Sequence, residues 1–189
     1  QMHEELIREL SVITDEEQRI LEGRNEIDQQ IYTEKKEMIV DCDKLLQKGK
    51  LIQVRPHTRF VHFPEHRHNY IEVIYMCQGM TTHIVNGNQI RLREGELLFL
   101  NQNAVQEILP AGAEDIAVNF IVLPEFFDTA FSMISGEENM LKTFLVDALC
   151  GKDGEISYLH FHVAGILPVQ NLVENMVWTI FYDLSNKRS

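Results

Sequence analysis

Between His66 and Gly79 the chain reads HRHNYIEVIYMCQG, and this stretch restricts the fold more than any other. From Asn69 to Cys77 both alternating sets are apolar: Ile71, Val73, Tyr75 and Cys77 on one, Ile74 and Met76 beyond Glu72 on the other. A strand has two faces, so a strand of this kind must be covered on both and is expected at the centre of a layered β structure. Read as continuous extended chain, the even positions His66, His68 and Glu72 share one face with Ile74 and Met76. Two imidazoles and a carboxylate are thereby expected on one side of a sheet.

The neighbouring sequence supplies further strands. Arg59 to Phe63 predicts a short strand broken by Pro64, and Thr82 to Val85 leads through Asn86-Gly87 to a returning strand from Gln89 to Arg93. Asn-Gly is a strong hairpin signal because a type I′ turn requires positive φ at both central residues. Glu94-Gly95-Glu96 turns into the apolar strand Leu97 to Leu100, followed by strands at Ala104 to Leu109 and Asp115 to Leu123. Short strands separated by turn chemistry at intervals of about 8 to 12 residues predict an antiparallel sandwich or barrel, a natural container for a ligand.

Helical material flanks this region. Leu6, Leu10 and Ile13 have helical spacing, and Thr14 with Glu17 forms a capping-box pattern that opens a helix carrying Ile20, Leu21, Ile27 and Ile31. A further helix is expected over Glu34 to Gln47, with Met38, Cys42, Leu45 and Leu46 on one face and Gly49 as its stop. Asp15-Glu16-Glu17 is read as a solvated face near a helix N-terminus, and no chemistry is expected before Lys50. After the strands, Pro124 opens a helix with Phe126, Phe127, Ala130, Phe131 and Ile134, and a second is expected from Asn139 to Leu149. Tyr158 to Val163 fits either a strand or a helix entrance. From Pro168 to Leu184 the chain presents an apolar helical face for about four turns, suited to its own domain or to a twin copy.

Composition narrows the function classes. The 189 residues carry a net charge of -12 and a pI of about 5.1, which repels a phosphate backbone and argues against nucleic-acid binding by this segment. Cys42, Cys77 and Cys150 are an odd number without framework spacing, and no leader or membrane-length apolar run is found, so a cytoplasmic setting with no membrane partner is expected. The chain opens on Gln1 and closes abruptly at Ser189, and it is expected to continue further.

The spacing His66-x-His68, three residues, Glu72, six residues, Gly79 resembles the first motif of the cupin superfamily. In the second motif Gly95 and the five residues Glu96 to Leu100 are kept, but Asn101 stands for proline, Asn103 for glycine and Gln106 for the histidine that would be a fourth metal ligand. Phe63 to His68 with Tyr70-Ile71-Glu72, then Gly95 to Leu100 and the helix-rich tail, is similar to the N-terminal sensing domain of AraC-type transcription regulators. The resemblance implies a mainly β fold with flanking helices (α+β), built on a cupin-like antiparallel β-barrel of the double-stranded β-helix or jelly-roll kind. Residues 1–50 are expected as an N-terminal helical segment, 51–123 as the barrel and 124–189 as helices for packing and dimerisation. It further implies a small-molecule effector in the barrel, a homodimer through the helix Pro168 to Leu184, and contact with DNA only through a C-terminal helix-turn-helix domain outside this chain.

Two uses of the site stay open. His66, His68, Glu72 and Gln106 could hold a divalent metal, although an amide is a weak fourth ligand. Alternatively they bind an effector by hydrogen bonds, with Asn119 as a further polar group and Ile74, Met76 and Ile108 as apolar wall. The second use is preferred, with no catalytic residues and no cofactor. The competing function is a stand-alone metal-dependent cupin enzyme, a dioxygenase or isomerase. His57, His62, His83, His160 and His162 are read as surface or satisfied histidines, the last two repeating His-x-His without a following carboxylate.

Overall fold

The computed structural model describes residues 4–33, 38–134, 146–147, 149–152 and 154–186. Among the described residues, ten strands form two five-stranded sheets: β1 (Ile39–Val40), β2 (Ile52–Pro56), β3 (Phe63–His68), β4 (Ile71–Gln78), β5 (Met80–Val85), β6 (Asn88–Arg93), β7 (Leu97–Leu100), β8 (Gln106–Ile108), β9 (Ile116–Val122) and β10 (Tyr158–Phe161). One sheet has the order β1-β3-β8-β5-β6 and the other β10-β7-β4-β9-β2. The result is the expected mainly β jelly roll, with two sheets stacked face to face rather than closed into one continuous barrel. All ladders are antiparallel except the short parallel pair β1 and β3.

β4 is central to its sheet and buried along almost its whole length, as its two apolar faces require. Ile71, Val73, Tyr75 and Cys77 join Val118, Phe120 and Val122 of β9 on the outer face, under α1 (Glu4–Ser11) and the last helix, α6 (Leu167–Asn186). The inner face carries Ile74 and Met76, packed with Val85, Leu92, Leu98 and Leu100 between the sheets. Each such fully buried aliphatic side chain contributes on the order of 1.5–3 kcal/mol through removal from water. β4 ends at Gly79, whose φ of 78° and contact with the backbone of Glu114 and Asp115 leave no room for a Cβ. The Asn86-Gly87 turn has φ of 48° and 82°, the geometry that a two-residue hairpin between β5 and β6 demands.

The helical segments differ from expectation in three ways. The capping box forms, with Glu17 N donating to Thr14 Oγ1 and Thr14 N to Glu17 Oε1, but α2 (Asp15–Arg19) and the π-helical turn Ile20–Arg24 end at Gly23 and Asn25, both with positive φ. A kink there replaces one long helix, and α3 (Gln29–Tyr32) follows as a single turn. The helix expected over Glu34 to Gln47 is also absent from its described part: β-branched Ile39 and Val40 form β1, and only α4 (Cys42–Leu45), capped by Asp41, is helical. Pairing with β3 satisfies this backbone instead, since Arg67 N donates to Met38 O and Asn69 N to Val40 O.

The third difference concerns charge. Glu16 and Glu17 are not a solvated face; both are buried. Tyr32 donates to Glu16 (2.8 Å), while the Arg59 side chain donates to Glu17 through Nε (2.7 Å) and an Nη (3.0 Å). The expected strand at Arg59 to Phe63 therefore begins only at Phe63, with Phe60 at a φ of 72° and Arg59 committed to the N-terminal segment.

α5 (Pro124–Ile134) opens at Pro124 as expected, and Phe126 and Phe127 pack on the outer core; the side chains of Ala130, Phe131 and Ile134 lie outside those described. The helix expected from Asn139 to Leu149 falls largely outside the described residues. The ambiguous Tyr158 to Val163 segment resolves as β10, which adds to β7 at a sheet edge. Among the described residues, no helix is long and apolar enough to cross a membrane.

Candidate functional site

The histidines and the glutamate do converge, but not on one strand. β3 ends at His68 and β4 begins at Ile71, and the two belong to opposite sheets. The chain crosses between sheets at Asn69-Tyr70, so His68 meets Glu72 across the interior, Nε2 to Oε2, at 2.6 Å. A bulge at Pro64-Glu65 sets the direction of the rest: the ladder pairs Phe63 with Ile108 and His66 with Gln106. Three steps on β3 match two on β8, so both Phe63 and His66 turn inward.

The opposite walls follow from register. Gln106 lies beside Val85, and His83 beside Ile108, on the inner face of the first sheet. On the second sheet Asn119 pairs with Ile74 and Ile121 with Glu72, which places Asn119 inward. A continuous polar chain results. Thr81 Oγ1 contacts His83 Nε2 (2.8 Å), His83 Nδ1 donates to Gln106 Oε1 (3.3 Å), and Gln106 Nε2 donates to Glu72 Oε2 (2.8 Å), the same oxygen that His68 engages. His66 Nδ1 donates to Pro64 O (2.7 Å).

Burial and charge fix the protonation of this chain. Burial, reinforced by the neighbouring His68, pulls the His66 pKa down to about 3, and burial with His57 nearby pulls His83 down to about 4. Burial also lowers His57. Glu72 is pushed upward by burial, but its contacts with His68 outweigh this and bring it down to about 2. Glu72 is therefore an anion inside the protein, held by donors, and His66 and His83 are neutral.

These residues border a cavity of about 40 Å³ whose wall includes His57, His66, His68, Glu72, Asn119 and Ile108, closed on one side by Tyr32, Val40 and Leu45. Two buried polar atoms have no hydrogen-bond partner there, His68 Nδ1 and Asn119 Oδ1. The cavity shares Leu45, Arg55, Pro56, His57 and Thr58 with a groove of about 690 Å³ that runs between β2 and the N-terminal helices. The first fifty residues thus form part of the container.

Of the residues expected at the site, His66, His68, Glu72, Gln106, Asn119 and Ile108 are brought together, whereas Met76 and Ile74 lie deeper in the core between the sheets, outside the cavity wall. Of the histidines expected to be surface or satisfied, His83 is satisfied, with Thr81 and Gln106 on its two ring nitrogens, and joins the site through Gln106, whereas His57 is buried and lines the cavity. The period-2 run Thr81, His83, Val85 was the available signal for His83; nothing local marks His57. Among the described residues, the sets of three charged or thiol donors close enough for one ion are Glu96 with His160 and His162, and Asp41 with Cys42 and Asp43. His160 and His162 thus have a convergent carboxylate, from a turn some 64 residues earlier.

A two-sheet jelly roll with histidines, a carboxylate and an amide lining its interior defines a cupin-type domain. More particularly, residues 52–131 match the family model of the AraC-like ligand binding domain. Among solved structures the chain is similar to apo ToxT from Vibrio cholerae, at 10% identity and a TM-score of 0.44, over 74% of this chain and 57% of that one. ToxT with an unsaturated fatty acid bound aligns at 12% identity and a TM-score of 0.36, over 48% and 35%. A cupin protein from Bacteroides fragilis aligns at 20% identity and a TM-score of 0.31, over 39% and 66%. The chain spans little more than half of the ToxT chain it matches. No curated protein sequence matches it.

Proposed function

We propose that this chain is the effector-sensing and dimerisation part of an AraC-type transcription regulator, without catalytic activity, acting on a DNA-binding domain outside the sequence. The observation that carries the sensing role is the pair of unpartnered buried atoms, His68 Nδ1 and Asn119 Oδ1, on two residues that line one cavity. Leaving buried polar atoms unpaired costs about 1–3 kcal/mol each, a cost that a ligand supplying matching groups removes. Asn119 Oδ1 asks for a donor, so the effector carries a hydroxyl or amine at its buried end. The cavity of about 40 Å³ admits only that end, and the adjoining groove has room for the remainder.

A thermal-shift screen of sugars, organic acids and aromatic metabolites is expected to yield a compound whose stabilisation rises with its concentration. His68→Ala and Asn119→Leu should each weaken it at least tenfold. A shift that survives both substitutions would place the site elsewhere, and turnover of the compound with added zinc, manganese or iron would favour the metal-dependent enzyme.

Dimerisation is supported by α6. Val173 and Val177 are used by the chain's own outer core, yet Leu167 and Leu172 remain exposed, Leu172 at 60%. These exposed leucines support a contact with a twin copy through the helix Pro168 to Leu184. Sedimentation at tens of micromolar should show a dimer that Leu172→Glu converts to monomer; a monomeric wild-type chain would remove this part of the reading.

A further inference from the structure

The ladder between β7 and β10 pairs Leu97 with Phe161 and Leu98 with His160. One step past its end, His162 stands opposite Glu96, and His160 reaches the same carboxylate diagonally. His162 Nδ1 lies 2.8 Å from Glu96 Oε2 and His160 Nε2 lies 3.1 Å from Oε1, with the two rings 4.1 Å apart. One ligand atom from each residue lies within 4.8 Å of the others. In tetrahedral zinc coordination with bonds of about 2.0–2.1 Å, neighbouring ligand atoms are about 3.3 Å apart, so small side-chain shifts would seat an ion between them.

The carboxylate is held in place independently of the histidines. Arg93 N donates to Glu96 Oε1 at 2.8 Å, and the preceding Gly95, with a φ of 83°, lies so close to Ala164 that a Cβ would meet its Cα at 3.0 Å. The turn before β7 is thus pressed onto the segment that follows His162. Glu96 is buried, while His162 is 72% exposed and leaves the remaining coordination positions open to solvent.

We propose that Glu96, His160 and His162 form a binding site for a divalent transition-metal ion of the zinc type, separate from the cavity between the sheets. Two imidazoles and one carboxylate suit this ion class over magnesium or calcium, which take oxygen donors. The ion would fasten the edge strand β10 to the turn before β7 and steady the start of α6, which follows directly in sequence. The inference does not depend on the effector reading, because no residue is shared between the two sites.

The test is zinc titration of tag-free full-length chain by calorimetry and elemental analysis, with a thermal-shift readout. Wild type should bind zinc, with a rise in Tm that magnesium and calcium do not give. His162→Gln, a change on an exposed side chain, should bind one equivalent fewer or at least tenfold more weakly and lose that rise. Glu96→Gln should do the same, and His68→Ala at the cavity should leave this equivalent in place. The proposal is overturned if wild type binds less than about a tenth of an equivalent at 50 micromolar zinc, or if His162→Gln binds zinc as wild type does.

Discussion

Glu17→Leu is expected to lower the unfolding free energy by about 3–5 kcal/mol, although Glu17 lies outside the matched domain and far in sequence from its partner. Its carboxylate accepts from Arg59 N at 2.9 Å as well as from Nε and an Nη, and both side chains are almost fully buried. Arg59 also donates to Ala113 O and Ser11 O, so one guanidinium ties the N-terminal helices, the start of β3 and the loop before β9. The loss comes from leaving that cation buried and unpaired, not from the Coulomb energy of the pair. A matching Arg59→Met change should accordingly recover much of the loss, because an apolar pair no longer carries an unsatisfied charge. Urea denaturation of wild type, the single variant and the double variant measures this. A double variant as unstable as Glu17→Leu alone would mean that the ion pair is itself the main source of stability there.

Acidification from pH 7 to pH 5 should cost roughly 4 kcal/mol of stability through His66 and His83. In the unfolded chain each takes up a proton near pH 6.5, whereas in the fold they stay neutral down to about pH 3 and about pH 4. Between those limits the unfolded state binds more protons, so the unfolding free energy falls as pH falls. His57, lowered by burial, acts in the same direction. Glu72, held down at about 2, adds a further loss only below about pH 4.5, where the unfolded carboxylate is protonated and the folded one is not. Denaturation midpoints taken between pH 7.5 and 5 should decline steadily, and His83→Asn should reduce the slope. A midpoint that is flat over this range would mean that these histidines accept protons within the fold.

The strand order and the site differ in how far sequence could reach them. Two apolar faces from Ile71 to Cys77 require a strand covered on both sides, and Asn86-Gly87 requires a hairpin, because each is a local consequence of backbone geometry. The cupin-like spacing of His66, His68 and Glu72 likewise marks residues that meet. Reading them along one strand face was wrong in mechanism, because the bulge at Pro64 and the sheet crossing at Asn69-Tyr70 depend on pairing with β8 and β9. Gln106 and Asn119 were legible as polar residues in apolar strands, and their inward sense was settled by register.

The sequence alone determined which segments extend, where they turn and that polar groups cluster near the start of the central strand, since these rest on side-chain alternation and turn stereochemistry within a few residues. Only the tertiary structure decided that Glu17 is buried against Arg59, that His57 and His83 belong to the site, that the first fifty residues wall its cavity, and that Glu96 meets His160 and His162. Those partners lie tens of residues apart, and their meeting depends on strand register and helix docking, which are collective properties of the packed chain.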